Sequence, residues 1–396
     1  MDVSGFFKTL FPVVNFFLLL IFFFRNKIST SVKFVIFLLF SYFNFSGNFE
    51  FVFREIYQVV IIGFVVYCFL FEFNIDLKFP RYVMFLFFLA ILLSYCYNDC
   101  FFNLNSNIAL LNYIFVSLTV YGIISIAIKD KNALFYINNY LKELLFVNSL
   151  VVIGLFFYHG VGYRVTYTYS NSNYLACFLG FSMIYSNYVK PNSTKDHLTI
   201  FLTLFAVFCT GSRSVLLICV PFIVMLYFKK NIIAFMLLAV IMVLIATYFF
   251  DTLIEMARLK DMDDDVSILQ RYEIRDVVFN IFKERPLLGI GYGRFIDSYK
   301  SYLSVNVDYI DNLDEIVTHN DYYRVLSELG LLGFLIFIFI LIKSFIYIIR
   351  QKFNYFVFFS FSMAVSYSYT HNNLNSYLFW LMIFVPYIII KRDEFS

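Results

Sequence analysis

Charge is scarce in this chain. Of its 396 residues only 14% are Asp, Glu, Lys or Arg, against about 25% in soluble globular domains. That shortage excludes an ordinary soluble surface, and with 61% hydrophobic residues it points to a polytopic membrane protein. A net charge of +3 is too small to argue for a nucleic-acid partner. The six cysteines form no CxxC and no Cys/His cluster, so neither a redox nor a zinc motif is present. Five lie in or beside apolar segments and read as small hydrophobes, while Cys100 falls in a short loop and reads as a free thiol. Walker A, HExxH and GxSxG are all missing. No Pro/Gly/Ser-rich linker marks off a separate domain, and no internal repeat is visible. The N-terminus has one Lys before a long apolar run and no small-residue cleavage site, the pattern of a signal anchor.

What is abundant is bulk: 56 Phe and 32 Tyr, read as lipid-facing and interfacial mass. Apolar runs recur near 6–24, 31–45, 56–73, 82–97, 106–128, 141–158, 173–189, 196–210, 214–228, 231–250, 330–349, 353–370 and 376–390. They predict an all-α protein with twelve or thirteen membrane spans. Lys and Arg orient it. Fifteen fall on one set of loops and only Arg54, Arg164 and Arg213 on the alternate short loops. The first set is therefore cytoplasmic, and so is the C-terminus; the N-terminus faces outward with thirteen spans and inward with twelve. The expected organisation is N-terminal transmembrane helices over 1–250, one large outer loop over 251–329 and C-terminal transmembrane helices over 330–396.

The loop holds 16 of the 27 acids and 9 of the 30 bases. Within it, Ile274, Val277, Val278 and Ile281 are spaced as the buried face of an amphipathic helix. A loop this long is commonly functional and here could cap an outer cavity. GIGYGRF at 289–295 misses the dinucleotide pattern, because position 294 is Arg where the third glycine belongs. Asp263, Asp264 and Asp265 read as a solvated acidic turn rather than a metal site. Three of the four histidines, His159, His319 and His371, fall on the outer side, whereas His197 is a cytoplasmic loop residue. Outward cations run against the charge bias and need a reason. Arg213, alone, reads as a snorkelling arginine. Arg164 sits in YHGVGYRVTYTYSNSNY, which is either a solvated loop or a platform for sugar. Arg275 reads best as a helix-surface ion pair with Glu273 or Asp276. In VTHNDYYRVLSELGLLGF, 317–334, a helix starting at Asn320 puts positions 319, 322, 323, 326, 330 and 333 on one face, with Gly330 and Gly333 expected to admit a neighbouring helix. His319 then stands at the outer mouth of a span, where it could act as a general base.

His319-Asn320, nine residues, then Gly330-x-x-Gly333 resembles the signature of the O-antigen ligase/polymerase superfamily. TGSR at 210–213 looks like that family's Ser-Arg turn between two spans, and ILQRYEI…RPLLGIGYGRF looks like the loop segment carrying its second functional arginine, here Arg271. The resemblance is good over about 160–350 and elsewhere lies in topology alone. It implies a multispanning, GT-C-like membrane glycosyltransferase of the bacterial inner membrane with its site facing the periplasm. It implies no metal, nucleotide or other cofactor. The partners implied are an undecaprenyl-diphosphate-linked oligosaccharide as donor and acceptor, membrane lipid and a polysaccharide chain-length regulator. Arg213 and Arg271 would hold the diphosphate and His319 would activate the acceptor hydroxyl, so these three are the expected catalytic residues. Arg164, Asn320, Arg294 and Tyr323 are the expected substrate-binding residues. One displacement with one base would invert the anomeric centre. The motif leaves the acceptor open. The wording of GIGYGRF and THNDYYRVLSELGLLG is more like polymerases, a ligase onto lipid A core is the alternative, and a flippase would want its polar residues nearer the midplane.

Overall fold

The computed structural model describes residues 3–25, 27–45, 51–72, 78–130, 132–160, 163–166, 172–187, 193–228, 266–303, 317–350, 355–372 and 374–395. Apolar backbone in a membrane must satisfy its own hydrogen bonds, so each long apolar run becomes a helix. The helices are α1 Val3–Phe23, α2 Thr30–Phe45, α3 Phe51–Phe71, α4 Lys78–Tyr97, α5 Leu104–Lys129, α6 Ala133–His159, α7 Ser172–Ser186, α8 Thr194–Cys209 and α9 Arg213–Phe228, followed by α10 Val266–Glu284, the one-turn α11 Phe295–Ser298, α12 Asp321–Arg350, α13 Tyr355–Thr370 and α14 Tyr377–Phe395. Twelve of the thirteen expected spans are thus helices. The thirteenth, 231–250, lies outside the described residues, as do Asp263, Asp264 and Asp265. Phe79–Tyr97, Leu104–Lys129, Ala133–His159 and Asp321–Ile349 are long and apolar enough to cross a membrane. Among the described residues the protein is all α-helical and polytopic.

Local sequence sets the helix starts. Asn103 caps α5 by accepting from the Ser106 amide, and Ser193 and Asp196 form a reciprocal capping box on α8. Large apolar side chains such as Phe17, Phe69 and Leu217 stand exposed on the helix flanks, an apolar surface that suits lipid and not water. Inside, polar groups pair. Asn15 on α1 donates to Asn44 on α2 at 2.9 Å and to Asn148 on α6 at 3.1 Å, the interhelical amide pairing that holds membrane helices together.

Contacts between connections fall into two groups at opposite ends of the bundle. At one end Lys129 pairs with Glu72 and Lys195 with Glu143. At the other, Arg294 meets Asn98, Asp297 meets Asn103 and Asn105, and Tyr292 meets Asn375.

At that second end, α10 and the 285–303 segment cover the bundle. Ile274, Val277, Val278 and Ile281 are buried against Ile290, Phe295 and Tyr299, with Tyr323 and Leu326 of α12 packed beside them. This is the face that the apolar spacing defined.

Gly330 corrects an expectation. It does not admit another helix. Its φ of 63° and ψ of −161° interrupt α12, and a Cβ there would stand 2.5 Å from the Leu287 backbone. A side chain at Gly289 (φ 64°) would strike the Ser327 carbonyl in return. At Gly333 a Cβ would collide with Leu329 of the preceding turn. In a continuous helix the amides of 331 and 332 would bond the carbonyls of 327 and 328. At the break the loop serves all four groups. Leu331 N donates to Pro286 O and Leu332 N to Leu287 O, while Ile290 N donates to Ser327 O and Gly291 N to Glu328 O. The Ser94 hydroxyl adds bonds to Leu288 O and Glu328 O.

Candidate active site

Three segments meet above α12. The first is residues 317–320, leading into the helix. Asn320 is its N-cap: Oδ1 accepts from Tyr322 N at 2.9 Å and Tyr323 N at 3.2 Å. The side chain expected to bind substrate is thus already engaged with the helix through its oxygen. Just before it, His319 takes φ 47°, a left-handed conformation costing a non-glycine residue about 1–2 kcal/mol. The second segment is α10, whose exposed Arg271 and Tyr272 and half-buried Arg275 line the same cavity as His319. The third is the end of α13 with the turn after it, which brings Tyr369 and His371.

Arg271, Tyr272, Arg275, Thr318, His319, Asn320, Tyr323 and Tyr369 line one open cavity of about 240 Å³. Of the expected site residues, four are brought together here: Arg271, His319, Asn320 and Tyr323. Arg275 pairs with Asp276 at 3.1 Å, as its sequence surroundings indicated, and lies over the Tyr272 ring.

The other three stand elsewhere. Arg164 donates Nε to Thr210 O at 3.2 Å and Nη2 to Asn173 Oδ1 at 3.1 Å, which straps its segment to the 210–213 turn. Arg213 opens α9 on that turn with its side chain exposed. Arg294 donates Nη1 to Asn98 O at 3.1 Å and so ties the covering segment to the α4–α5 connection, away from the cavity.

His371 is the residue the sequence did not single out. Its ring centroid lies 6.4 Å from that of His319, edge to face, and it stacks on Tyr174 at 5.2 Å. The two histidines are 52 positions apart, so no local pattern joins them. The visible signal was that His371-Asn372 repeats the pair His319-Asn320. His159, by contrast, stacks on Tyr163 at 4.1 Å and is not among the cavity's lining residues.

Burial lowers the pKa of the His319 imidazole, and the Arg271 guanidinium lowers it further. His371 is driven down to about 3, first by burial and then by the charges of His319, Arg271 and Arg164. Both rings are accordingly neutral at physiological pH, and His319 has an imidazole nitrogen able to accept a proton. Protonation of a base with a lowered pKa switches it off only at lower pH. The acid limb of the turnover–pH profile should therefore fall below the ordinary histidine value of about 6.5. Arg271→Gln removes one lowering charge and should move that limb upward. A limb at or above 6.5 in the parental enzyme, unmoved by Arg271→Gln, would count against His319 as the titrating group.

Among the described residues no group of three or more His, Cys, Asp or Glu side chains could hold a metal ion. The arrangement offers a neutral base, an exposed guanidinium and tyrosine side chains at the rim of a membrane bundle.

Residues 198–338 match the family model Wzy_C, O-antigen ligase. That segment, 141 of the 396 residues, is similar to the O-antigen ligase family. The matched segment runs from α8 into α12 and includes Arg213, Arg271, Arg294, His319, Asn320 and Tyr323. The chain is thus a multi-pass helical membrane protein among its described residues, and its matched segment is similar to O-antigen ligases. Arg164, Tyr369, His371 and Asn372 lie outside the matched segment. No curated protein matches the chain.

Proposed function

We propose that the chain polymerises undecaprenyl-diphosphate-linked O-antigen repeat units, or those of a related surface polysaccharide, at the periplasmic face of the inner membrane. The observation that carries this is the cavity in which neutral His319 and cationic Arg271 stand together at the bundle's rim. In the reaction, the His319 imidazole takes the proton of the acceptor sugar hydroxyl as its oxygen attacks the donor's anomeric carbon. The carbon–oxygen bond to the diphosphate breaks, and the lipid diphosphate leaves with the electron pair. Charge grows on the phosphate oxygens, where Arg271 acts from the cavity lining and Arg213 from the 210–213 turn outside it. The leaving group needs no acid and the step needs no metal. One displacement inverts the anomeric centre. Tyr272, Tyr323 and Tyr369 offer ring faces for sugars. Membrane lipid surrounds the helices, and a chain-length regulator would set when the product is released.

The alternative is a ligase that transfers finished polymer to lipid A core. Deletion of the gene followed by lipopolysaccharide electrophoresis separates the two. Core carrying a single repeat unit identifies a polymerase. Bare core with polymer retained on undecaprenyl diphosphate identifies a ligase. Unchanged core-linked and lipid-linked polymer excludes both.

Orientation has its own test. Alkaline phosphatase fused after Asp265 is expected to be active and fused after Lys230 inactive. The reverse pattern would place His319 in the cytoplasm and overturn the periplasmic reaction.

A further inference from the structure

The left-handed backbone of His319 has a holder. Thr318 donates its hydroxyl to Asn372 Oδ1 at 2.6 Å, and Asn320 donates its amide to the same oxygen at 3.1 Å. A backbone N–H can only donate, so the oxygen of the Asn372 amide must face it. The two residues flanking His319 thus converge on one acceptor and bend the chain between them. Asn372 is itself fixed. The Tyr174 hydroxyl donates to its carbonyl at 3.4 Å, and the next residues are anchored on both sides. Leu374 N donates to Asp321 Oδ1 at 3.2 Å, and Tyr292 donates to Asn375 Oδ1 at 3.0 Å. His371, buried and stacked on Tyr174, closes the wall beside the His319 ring.

We infer that Asn372 is a positioning residue for His319: its side-chain oxygen, shared by Thr318 and Asn320, sets the backbone turn that aims the imidazole into the cavity. The inference rests on His319 being the base that activates the acceptor. Asparagine suits the task because it supplies a two-lone-pair acceptor without charge. A carboxylate in its place would make the same two bonds but would draw a proton onto the neighbouring imidazole. The titratable and charged groups around the pair are Arg271 and Arg275 on α10, Arg164 beside the 210–213 turn, Asp321 at the start of α12, and His371.

Two substitutions separate geometry from charge. Asn372→Leu keeps size and removes the acceptor. Turnover of lipid-linked oligosaccharide extracted from the same cells is expected to fall about 100-fold, the scale for a misplaced catalytic group, with KM for that donor within about threefold. Asn372→Asp restores the acceptor and should recover to within about tenfold of the parental rate, with its acid limb moved to higher pH. Thr318→Val removes one of the two bonds and should cost about three- to tenfold; it carries the test if Asn372→Leu does not accumulate. An activity-independent readout is the rate at which diethyl pyrocarbonate modifies His319, followed by mass spectrometry, which should change several-fold in Asn372→Leu and return in Asn372→Asp. Parental turnover in Asn372→Leu with unchanged His319 modification would overturn the positioning role. So would Asn372→Asp as inactive as Asn372→Leu at every pH. If the parental protein transfers no sugar while Asn372→Leu still alters His319 modification, the positioning stands and the transferase reading fails.

Discussion

His319→Ala is expected to lower sugar transfer by roughly 100- to 10,000-fold, the range for losing a positioned general base, while lipid-linked donor still binds. The two effects separate because the side chains have different tasks. The guanidiniums meet charge that is already on the diphosphate, whereas the imidazole meets a proton that is released only as the acceptor attacks. The substitution should also leave protein abundance close to parental. His319 is half-buried at an open cavity, and the cap of α12 is made by Asn320 rather than by the histidine. Truncating it leaves no sealed void of the kind that destabilises a core. His159→Ala is the control, since that ring stacks on Tyr163 outside the cavity lining. Purified enzyme with binding and transfer measured separately decides the matter. Transfer by His319→Ala near the parental rate would reduce the histidine to a boundary residue.

Arg271→Lys should cost about 100- to 1,000-fold in turnover, the scale for removing one preorganised donor to a developing anion. The charge survives this change and the planar fork does not. Because the charge survives, the acid limb set by His319 should stay in place, unlike in Arg271→Gln. That contrast separates phosphate binding from simple electrostatics on the histidine. Arg213→Lys is expected to behave like Arg271→Lys, although the two arginines arrive from different elements, α10 and the 210–213 turn. Arg275→Lys should cost far less, because Arg275 is already paired with Asp276. Full turnover in both Arg271→Lys and Arg213→Lys would mean that neither fork touches the diphosphate.

What could be seen in the sequence was whatever depends on period and neighbours. The spans follow from apolar length, and the face of α10 follows from the spacing of Ile274, Val277, Val278 and Ile281. Four site residues came from short patterns, and the cavity does join Arg271, His319, Asn320 and Tyr323. What could not be seen depends on contacts between distant residues. Arg294 sits in a glycine-rich stretch that invites a ligand, yet its partner is the Asn98 carbonyl, 196 positions away. Gly330 has the spacing of a helix-packing glycine, and only the approach of 286–288 reveals a chain break. His371 and Asn372 join the site through partners on a different helix start, which no local pattern shows.

The break at Gly330 bears on which parts of the fold can move. The covering segment is joined to α12 by four backbone hydrogen bonds, each worth about 1 kcal/mol net and more when left unpaired in a dry setting. Swinging that segment away like a lid would unravel the membrane helix itself. The 286–291 segment is therefore a fixture of α12 and not a lid.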